Sequence, residues 1–232
     1  MIPTFDAMKV VIISATEKEI ELLRQSLNPL HFNKELPFHV ELCISGVGLL
    51  ASCFSISQLL FQDKPGLIIQ AGIAGAFSQN IKLGTVVAVK EEYLGDTGVE
   101  ENGLFKDLFD LQLASQNEPP FANKSLSNTG IAKWNITALP TVTSVTVNEI
   151  TTRQQRIEQL SEKYGAEIES MEGSSLHYCC IKVNVPFIQI RAISNHIAER
   201  DKSKWAFGEA FQNLSKAVVE YIDQLYLLQE IL

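Results

Sequence analysis

Apolar runs of strand length alternate along this chain with segments whose apolar residues recur every three or four positions. Residues 8–15 are the first such run, and Ile20, Leu23 and Leu27 then keep helical spacing. Thr16 stands where it caps that helix, and Glu19, three positions on, completes a capping box. A second strand over residues 40–45 ends in Gly46-Val47-Gly48, and the helix after it carries Leu50, Phe54, Ser57 and Phe61 on one stripe. A third, residues 67–70, runs into Ala71-Gly72-Ile73-Ala74-Gly75-Ala76, where small residues allow close approach of backbone and ligand. A fourth covers residues 84–89, and the β-branched run 140–147 is a fifth. Ile150, Ile157, Leu160 and Tyr164 mark one side of a helix that Gly165 ends. Residues 176–182 read as a helix with Leu176, Cys179, Cys180 and Val183 on its buried face, followed by a strand over 183–190. The last helix spans 204–228, with Phe211, Leu214, Val218 and Ile222 as its stripe.

Strands rich in β-branched residues, entered and left by helices, predict a three-layer α/β domain, a central mixed sheet with helices on both faces. Ligands of such sheets sit beyond the carboxyl ends of the strands. Two polar clusters occupy that position, Glu169-Ser170-Met171-Glu172-Gly173-Ser174-Ser175 and Arg191-Ala192-Ile193-Ser194-Asn195. Glu19 also lies on the ligand side, so position alone leaves it open between helix cap and site residue. Residues 95–135 break the pattern: Asn, Ser, Gln and Pro119-Pro120 dominate, and only 104–113 looks helical. Such a segment is expected to be a lid, a binding loop or a subunit contact.

Composition narrows the chemistry. A chain of 232 residues with a net charge of −8 and no Lys/Arg run lacks the basic face that nucleic acid requires. No apolar run reaches the length of a membrane span, and residues 1–7 have no leader character, so a cytoplasmic protein is expected. Cys43, Cys53, Cys179 and Cys180 have no C-x-x-C spacing and read as thiols of a reducing compartment. His31, His39, His177 and His196 are scattered without a zinc-binding pattern, so no metal is expected. There is no G-x-S-x-G elbow for a serine nucleophile and no G-x-x-x-x-G-K-[ST] loop. Gly46-Val47-Gly48-Leu49-Leu50-Ala51 matches a dinucleotide fingerprint in form, but the next strand ends in Gln70 where a ribose-binding acid belongs, so the glycines are read as a tight turn. Carboxylates and an amide at strand ends remain: Glu19, Glu172 and Asn195.

These pieces carry a resemblance. Glu17-x-Glu19 after the first strand, Gly46-Val47-Gly48, Gly72-Ile73-Ala74-Gly75, Met171-Glu172-Gly173 and Arg191-Ala192-Ile193-Ser194-Asn195 follow the order and spacing of the nucleoside phosphorylase and nucleosidase superfamily, over residues 8–232. Within it the chain resembles the hydrolytic methylthioadenosine/S-adenosylhomocysteine nucleosidases, and more closely the futalosine hydrolases of menaquinone synthesis. The resemblance implies a nucleoside phosphorylase-like fold, a small nucleoside as substrate, no metal or organic cofactor, and a homo-oligomer, a dimer or higher, using part of residues 95–135.

Hydrolysis of an N-glycosidic bond passes through an oxocarbenium-like sugar and needs an activated nucleophile, anchors on the ribose hydroxyls and a group for the departing base. Glu19 then suits the general base and Glu172 the ribose hydroxyls. Met171, Val147 and Ile73 suit an apolar floor, with Val47 and Ser194 beside the substrate. The phosphorylases of the superfamily bind phosphate with arginines where this chain has Ser14-Ala15-Thr16-Glu17 and Ile69-Gln70-Ala71, so water is the expected nucleophile. Adenine-specific members carry Asp at the position of Asn195. An amide offers one acceptor and two donor hydrogens, which fits a 6-oxopurine, so hypoxanthine is expected over adenine. Arg200, Trp205 and Phe207 are candidates to receive the carboxyphenyl ketone tail of futalosine; a charge cluster capping the last helix would read the same. An adenine-releasing nucleosidase and a catalytically silent nucleoside-binding protein of the same fold are the rivals.

Overall fold

The computed structural model describes residues 8–230; residues 1–7, from which the lack of a leader was read, lie outside the described residues. The first strand, β1 (Met8–Ser14), leads into α1 (Glu17–Ser26), and β2 (Phe38–Ile44) into α2 (Leu49–Gln62). Then come β3 (Leu67–Ala76), β4 (Val86–Leu94), the hairpin β5 (Gly98–Glu101) and β6 (Leu104–Asp107), β7 (Leu126–Ser127) and the short α3 (Ile131–Trp134). The chain ends in β8 (Thr141–Thr146), α4 (Gln154–Tyr164), β9 (Ile168–Ser170), α5 (Gly173–Val183), β10 (Phe187–His196) and α6 (Phe207–Glu230).

β2, β1, β3 and β10 run parallel; β10 then meets β4 antiparallel, β4 pairs with β8 and β8 with β9 in parallel, and β9 returns antiparallel to β3. The mixed sheet therefore curls back on itself at β3 instead of staying open. Both faces are covered, which explains the unbroken apolar runs. Val10, Ile12, Leu67 and Ile69 pack with Leu23 of α1 and Leu214, Val218 and Ile222 of α6, whereas Val11, Ile13 and Ile68 pack with Ile56 of α2 and Leu176 and Cys180 of α5. No helix among the described residues is long and apolar enough to cross a membrane.

Several expected elements differ. Residues 104–113 are not helical: Asn102-Gly103, at φ 52° and 76°, forms the two-residue turn of the β5–β6 hairpin, an Asn-Gly signal that outweighs the local leucine spacing. The strand expected from 183 starts at Phe187, because α5 runs on to Val183 and Asn184, at φ 55°, terminates it; β10 then continues to His196. Val183 is exposed rather than buried. The α2 stripe is inverted: Leu50, Phe54 and Phe61 face out, and Ser52, Ile56, Leu59 and Leu60 face in. Ile150 precedes α4 rather than belonging to it. All four cysteines are free thiols, with Cys53 and Cys179 sulfurs 3.7 Å apart between α2 and α5.

Candidate active site

A cavity of about 320 Å³ opens where β1, β3, β9 and β10 end. Glu19 reaches it from the first turn of α1. Its Oε2 accepts from the Thr16 amide and hydroxyl, each at 2.9 Å, while Oε1 accepts from the Ile73 N–H at 3.2 Å. The capping box and the site thus share one carboxylate, one oxygen each. Burial raises the Glu19 pKa above its ordinary value, against the opposing pull of the Arg191 guanidinium and the Thr16 hydrogen bond.

Glu172 ends the β9 turn and stands at the N-cap of α5. Its Oε1 accepts from the Gly48 N–H at 3.2 Å, and its Oε2 lies 3.5 Å from the Arg191 guanidinium. Gly48 holds φ +88°, a conformation L side chains rarely adopt, which turns that N–H toward Glu172. Arg191, only 1% exposed, also donates to Gln70 Oε1 at 2.8 Å, and Gln70 donates back to the Glu172 carbonyl at 3.4 Å. The Gln70 that spoils a dinucleotide fingerprint is therefore the residue that holds Arg191. A Cβ on Gly72 would fall against the Arg191 guanidinium and 3.1 Å from Glu19 Oε1, so the missing side chain there makes room for the cation between the carboxylates.

Asn195, near the end of β10, also lines the cavity. Its Oδ1 accepts from the Ser194 hydroxyl at 2.9 Å and its Nδ2 donates to the His196 carbonyl at 3.1 Å. One amide hydrogen and one oxygen lone pair remain for a ligand. Ser194, Met171, Ile73 and the half-exposed Val47 line the same space, as do Arg200, Trp205 and Phe207. The Arg200 guanidinium lies 5.7 Å from the Trp205 ring centroid, and Phe207 follows at 5.1 Å from Trp205, giving one wall that is aromatic with a cation on it.

Val147 is the exception. It is buried with Val145, Leu160, Tyr164 and Ala166 beneath α4 and is not part of the cavity wall; the chain turns after β8, and Ile150 and Thr151 take that place. Sequence reasoning also gave no role to Gln70, Arg191, Glu169 or Phe211, although Glu169 and Phe211 line the cavity. The spacing of the last helix puts Phe211 on its buried stripe, but it is only partly buried and faces the cavity; Arg191 and Glu169 stand in the two polar clusters, the one available signal. Residues 95–135 contribute nothing to the cavity wall: the β5–β6 hairpin is held to α4 through Arg153–Glu100, and β7 pairs with β4. Among the described residues no group of three or more His, Cys, Asp or Glu could hold a metal ion.

The profile of the Phosphorylase superfamily matches residues 9–226. A futalosine hydrolase of Streptomyces coelicolor is 27% identical over 191 residues, 79% of this chain and 78% of that protein. A 5′-methylthioadenosine/S-adenosylhomocysteine nucleosidase of Maridesulfovibrio salexigens is 28% identical over 247 residues, 97% of this chain and 100% of that one. Among solved structures, the native futalosine hydrolase of Helicobacter pylori has a TM-score of 0.77 at 14% identity, covering 95% of this chain and 100% of that chain, a likeness of fold.

Proposed function

Because the chain belongs to the Phosphorylase superfamily, we propose that it is a purine nucleosidase that hydrolyses the N-glycosidic bond of futalosine and releases hypoxanthine. The observation that carries this reading is the arrangement of one cavity, with Glu19 and Glu172 gathered around Arg191 and with Asn195 offering one donor and one acceptor. Glu19 takes a proton from water, whose oxygen attacks C1′ as the bond to N9 breaks and its electron pair passes to the purine. Glu172 accepts from the ribose hydroxyls, on a carboxylate already held by Gly48 and Arg191. A phosphate dianion would stand beside two carboxylates whose one shared guanidinium is already paired, which favours water as nucleophile. The Asn195 amide hydrogen meets O6 and its oxygen receives N7–H, the base drawing that proton from solvent. Arg200, Trp205 and Phe207 receive the tail, and Met171, Ile73 and Val47 the sugar.

An adenine-releasing 5′-methylthioadenosine nucleosidase is the second reading, favoured by relatives of that kind at the same level of identity. Base release from futalosine, inosine, methylthioadenosine and adenosine, with and without phosphate, separates the two. Hypoxanthine from futalosine without phosphate is the expected result. Adenine from methylthioadenosine would establish the second reading, release only with phosphate would make the protein a phosphorylase, and no release would leave a binding protein.

The protein also acts as a homo-oligomer in this reading. Apolar side chains suited to a second copy are exposed on α2 at Leu50, Phe54 and Phe61, and within residues 95–135 at Leu104 and Leu113. Four free thiols fit a cytoplasmic setting.

A further inference from the structure

All four cysteines of the chain meet in one place, and the reaction above uses none of them. Cys179 and Cys180 of α5 are buried in the apolar cluster that α2, α5 and one sheet face enclose, and Cys43 of β2 and Cys53 of α2 pack against the same cluster. Within it Cys53 and Cys179 bring their sulfurs to 3.7 Å. The Ser57 hydroxyl, one turn on from Cys53, lies 3.5 Å from the Cys179 sulfur and holds it toward α2. The two thiols are unequal. Cys179 is 7% exposed and Cys53 is partly exposed, so a small reagent that reaches the pair meets Cys53 first. Burial pushes the Cys179 thiol up to about 11, against the Ser57 hydrogen bond, which leaves it inert toward a reagent in water. Contact replaces that reactivity: held against an oxidised Cys53, it reacts within the molecule.

α2 and α5 are also the helices whose first turns hold the ribose-side carboxylate. The Gly48 N–H that opens α2 donates to Glu172 at the N-cap of α5, at 3.2 Å, and the Ser175 hydroxyl of α5 donates to the Leu49 carbonyl of α2 at 2.8 Å. Cys53 follows Gly48 by five residues and Cys179 follows Glu172 by seven, about 7 and 10 Å along the helix axes. A disulfide needs its sulfurs at about 2.0 Å, so the pair must close by about 1.7 Å, and the packed cluster around Cys179 makes the helices take up part of that shift.

We propose that Cys53 and Cys179 are a redox modification site: a peroxide oxidises the pair to a disulfide that draws α2 and α5 together and displaces Gly48 from Glu172, weakening the hold on the ribose hydroxyls. The Cys53 sulfur attacks one peroxide oxygen, the O–O bond breaks, and Cys53 becomes a sulfenic acid as its proton leaves with the other oxygen in water. The Cys179 sulfur then attacks the Cys53 sulfur, its proton goes to the departing hydroxyl, and a second water leaves. The two thiols supply the two electrons that take the peroxide to two waters, and a small dithiol reverses the change. Formation of the disulfide is independent of the substrate; its effect on turnover rests on the reading of Glu172 as the ribose anchor.

The test exposes the reduced full chain to hydrogen peroxide, counts thiols after denaturation, maps cross-linked peptides by mass spectrometry and follows hydrolysis of the nucleoside that the protein cleaves. Thiols should fall from four to two per chain, and the cross-link should join Cys53 to Cys179. KM should rise about tenfold or more with a smaller change in kcat, and dithiothreitol should restore both the thiols and KM. Cys53→Ser should keep its KM in peroxide, whereas Cys43→Ser should respond as wild type does. Four thiols after peroxide, thiols lost without the cross-link between Cys53 and Cys179, or a disulfide that leaves KM unchanged overturns the proposal. A protein that cleaves no nucleoside overturns the link to Glu172 together with the reading of the site, and the cross-link map then decides by itself whether the pair is a modification site.

Discussion

At Glu19 two demands on one carboxylate coincide, since the oxygen that caps α1 fixes the direction of the oxygen that faces the site. Substitution by glutamine should keep the fold and the binding of nucleoside while turnover falls roughly 10²- to 10⁴-fold, the usual share of a general base; turnover within a few-fold of wild type would remove the role. Only the ionised form can take a proton from water. Because burial raises the Glu19 pKa, the acid limb of kcat/KM should lie above pH 4.5 and activity should fall as pH drops through it. Asn195→Asp should move preference toward 6-amino nucleosides by restoring an acceptor for the amine and a proton for N7, and an unchanged ratio of hypoxanthine to adenine release would show that Asn195 does not read the base. The residues that touch the cavity were legible where a strand-end position coincided with a polar side chain, as at Glu19, Glu172 and Asn195. Gln70 and Arg191 were not, because their role is to hold other side chains, and that depends on β3 and β10 being neighbours. Val147 was misplaced because a β-branched run gives no sign of which of its residues turns toward α4.

At the level of elements, α5 carries the site's second carboxylate and starts against a polar cluster that the reaction does not use. Glu92 of β4 is fully buried; its Oε1 accepts from the Thr146 hydroxyl at 2.9 Å, and that same oxygen of Thr146 accepts the Ser174 N–H in the first turn of α5 at 2.7 Å. A Cβ on Gly173 would fall against Glu92 and Gln189, so the helix start is fitted around this carboxyl group. Burial pushes the Glu92 pKa up to about 7. Below the ordinary carboxyl value both folded and unfolded chains hold the proton. As pH rises to about 7 the unfolded chain has released it and the folded protein has not, so stability falls across that window by an amount of order 3 kcal/mol. Glu92→Gln lacks this loss. Its melting temperature relative to wild type should therefore climb between pH 5 and 8, and a constant difference across that range would show that Glu92 does not titrate in the folded protein. The order of strands and helices was readable because each strand is followed by a segment of a different period. What escaped was local: the Asn102-Gly103 turn beneath an apparent helical spacing, and the inner face of α2, a helix apolar on both sides.

The inverted face of α2 bears on the whole molecule. Leu50 is 83% exposed, and Phe54 and Phe61 are each 71% exposed, on a helix whose other side is packed on α5. Clustered side chains of this size at full exposure mark an interface more often than a solvated surface. Val47, in the turn that leads into the same helix and 55% exposed, lines the cavity, so a second copy seated on α2 would also cover the cavity rim. A stable pair needs about 800 Å² buried on each partner, more than one helix face provides, so neighbouring surface must join it. Sedimentation of the 25.8 kDa chain should give a dimer or a larger species, and Phe54→Glu, which places a charge in the middle of the apolar stripe, should shift it toward monomer. If α2 closes the rim, that variant should also raise KM for the nucleoside without removing Glu19 chemistry, because Glu19 and Glu172 are positioned from within one chain. A monomeric wild type at micromolar concentration would remove the interface altogether. A Phe54→Glu protein that keeps its size would move the contact elsewhere and return residues 95–135, with exposed Leu104 and Leu113, as the next surface to change.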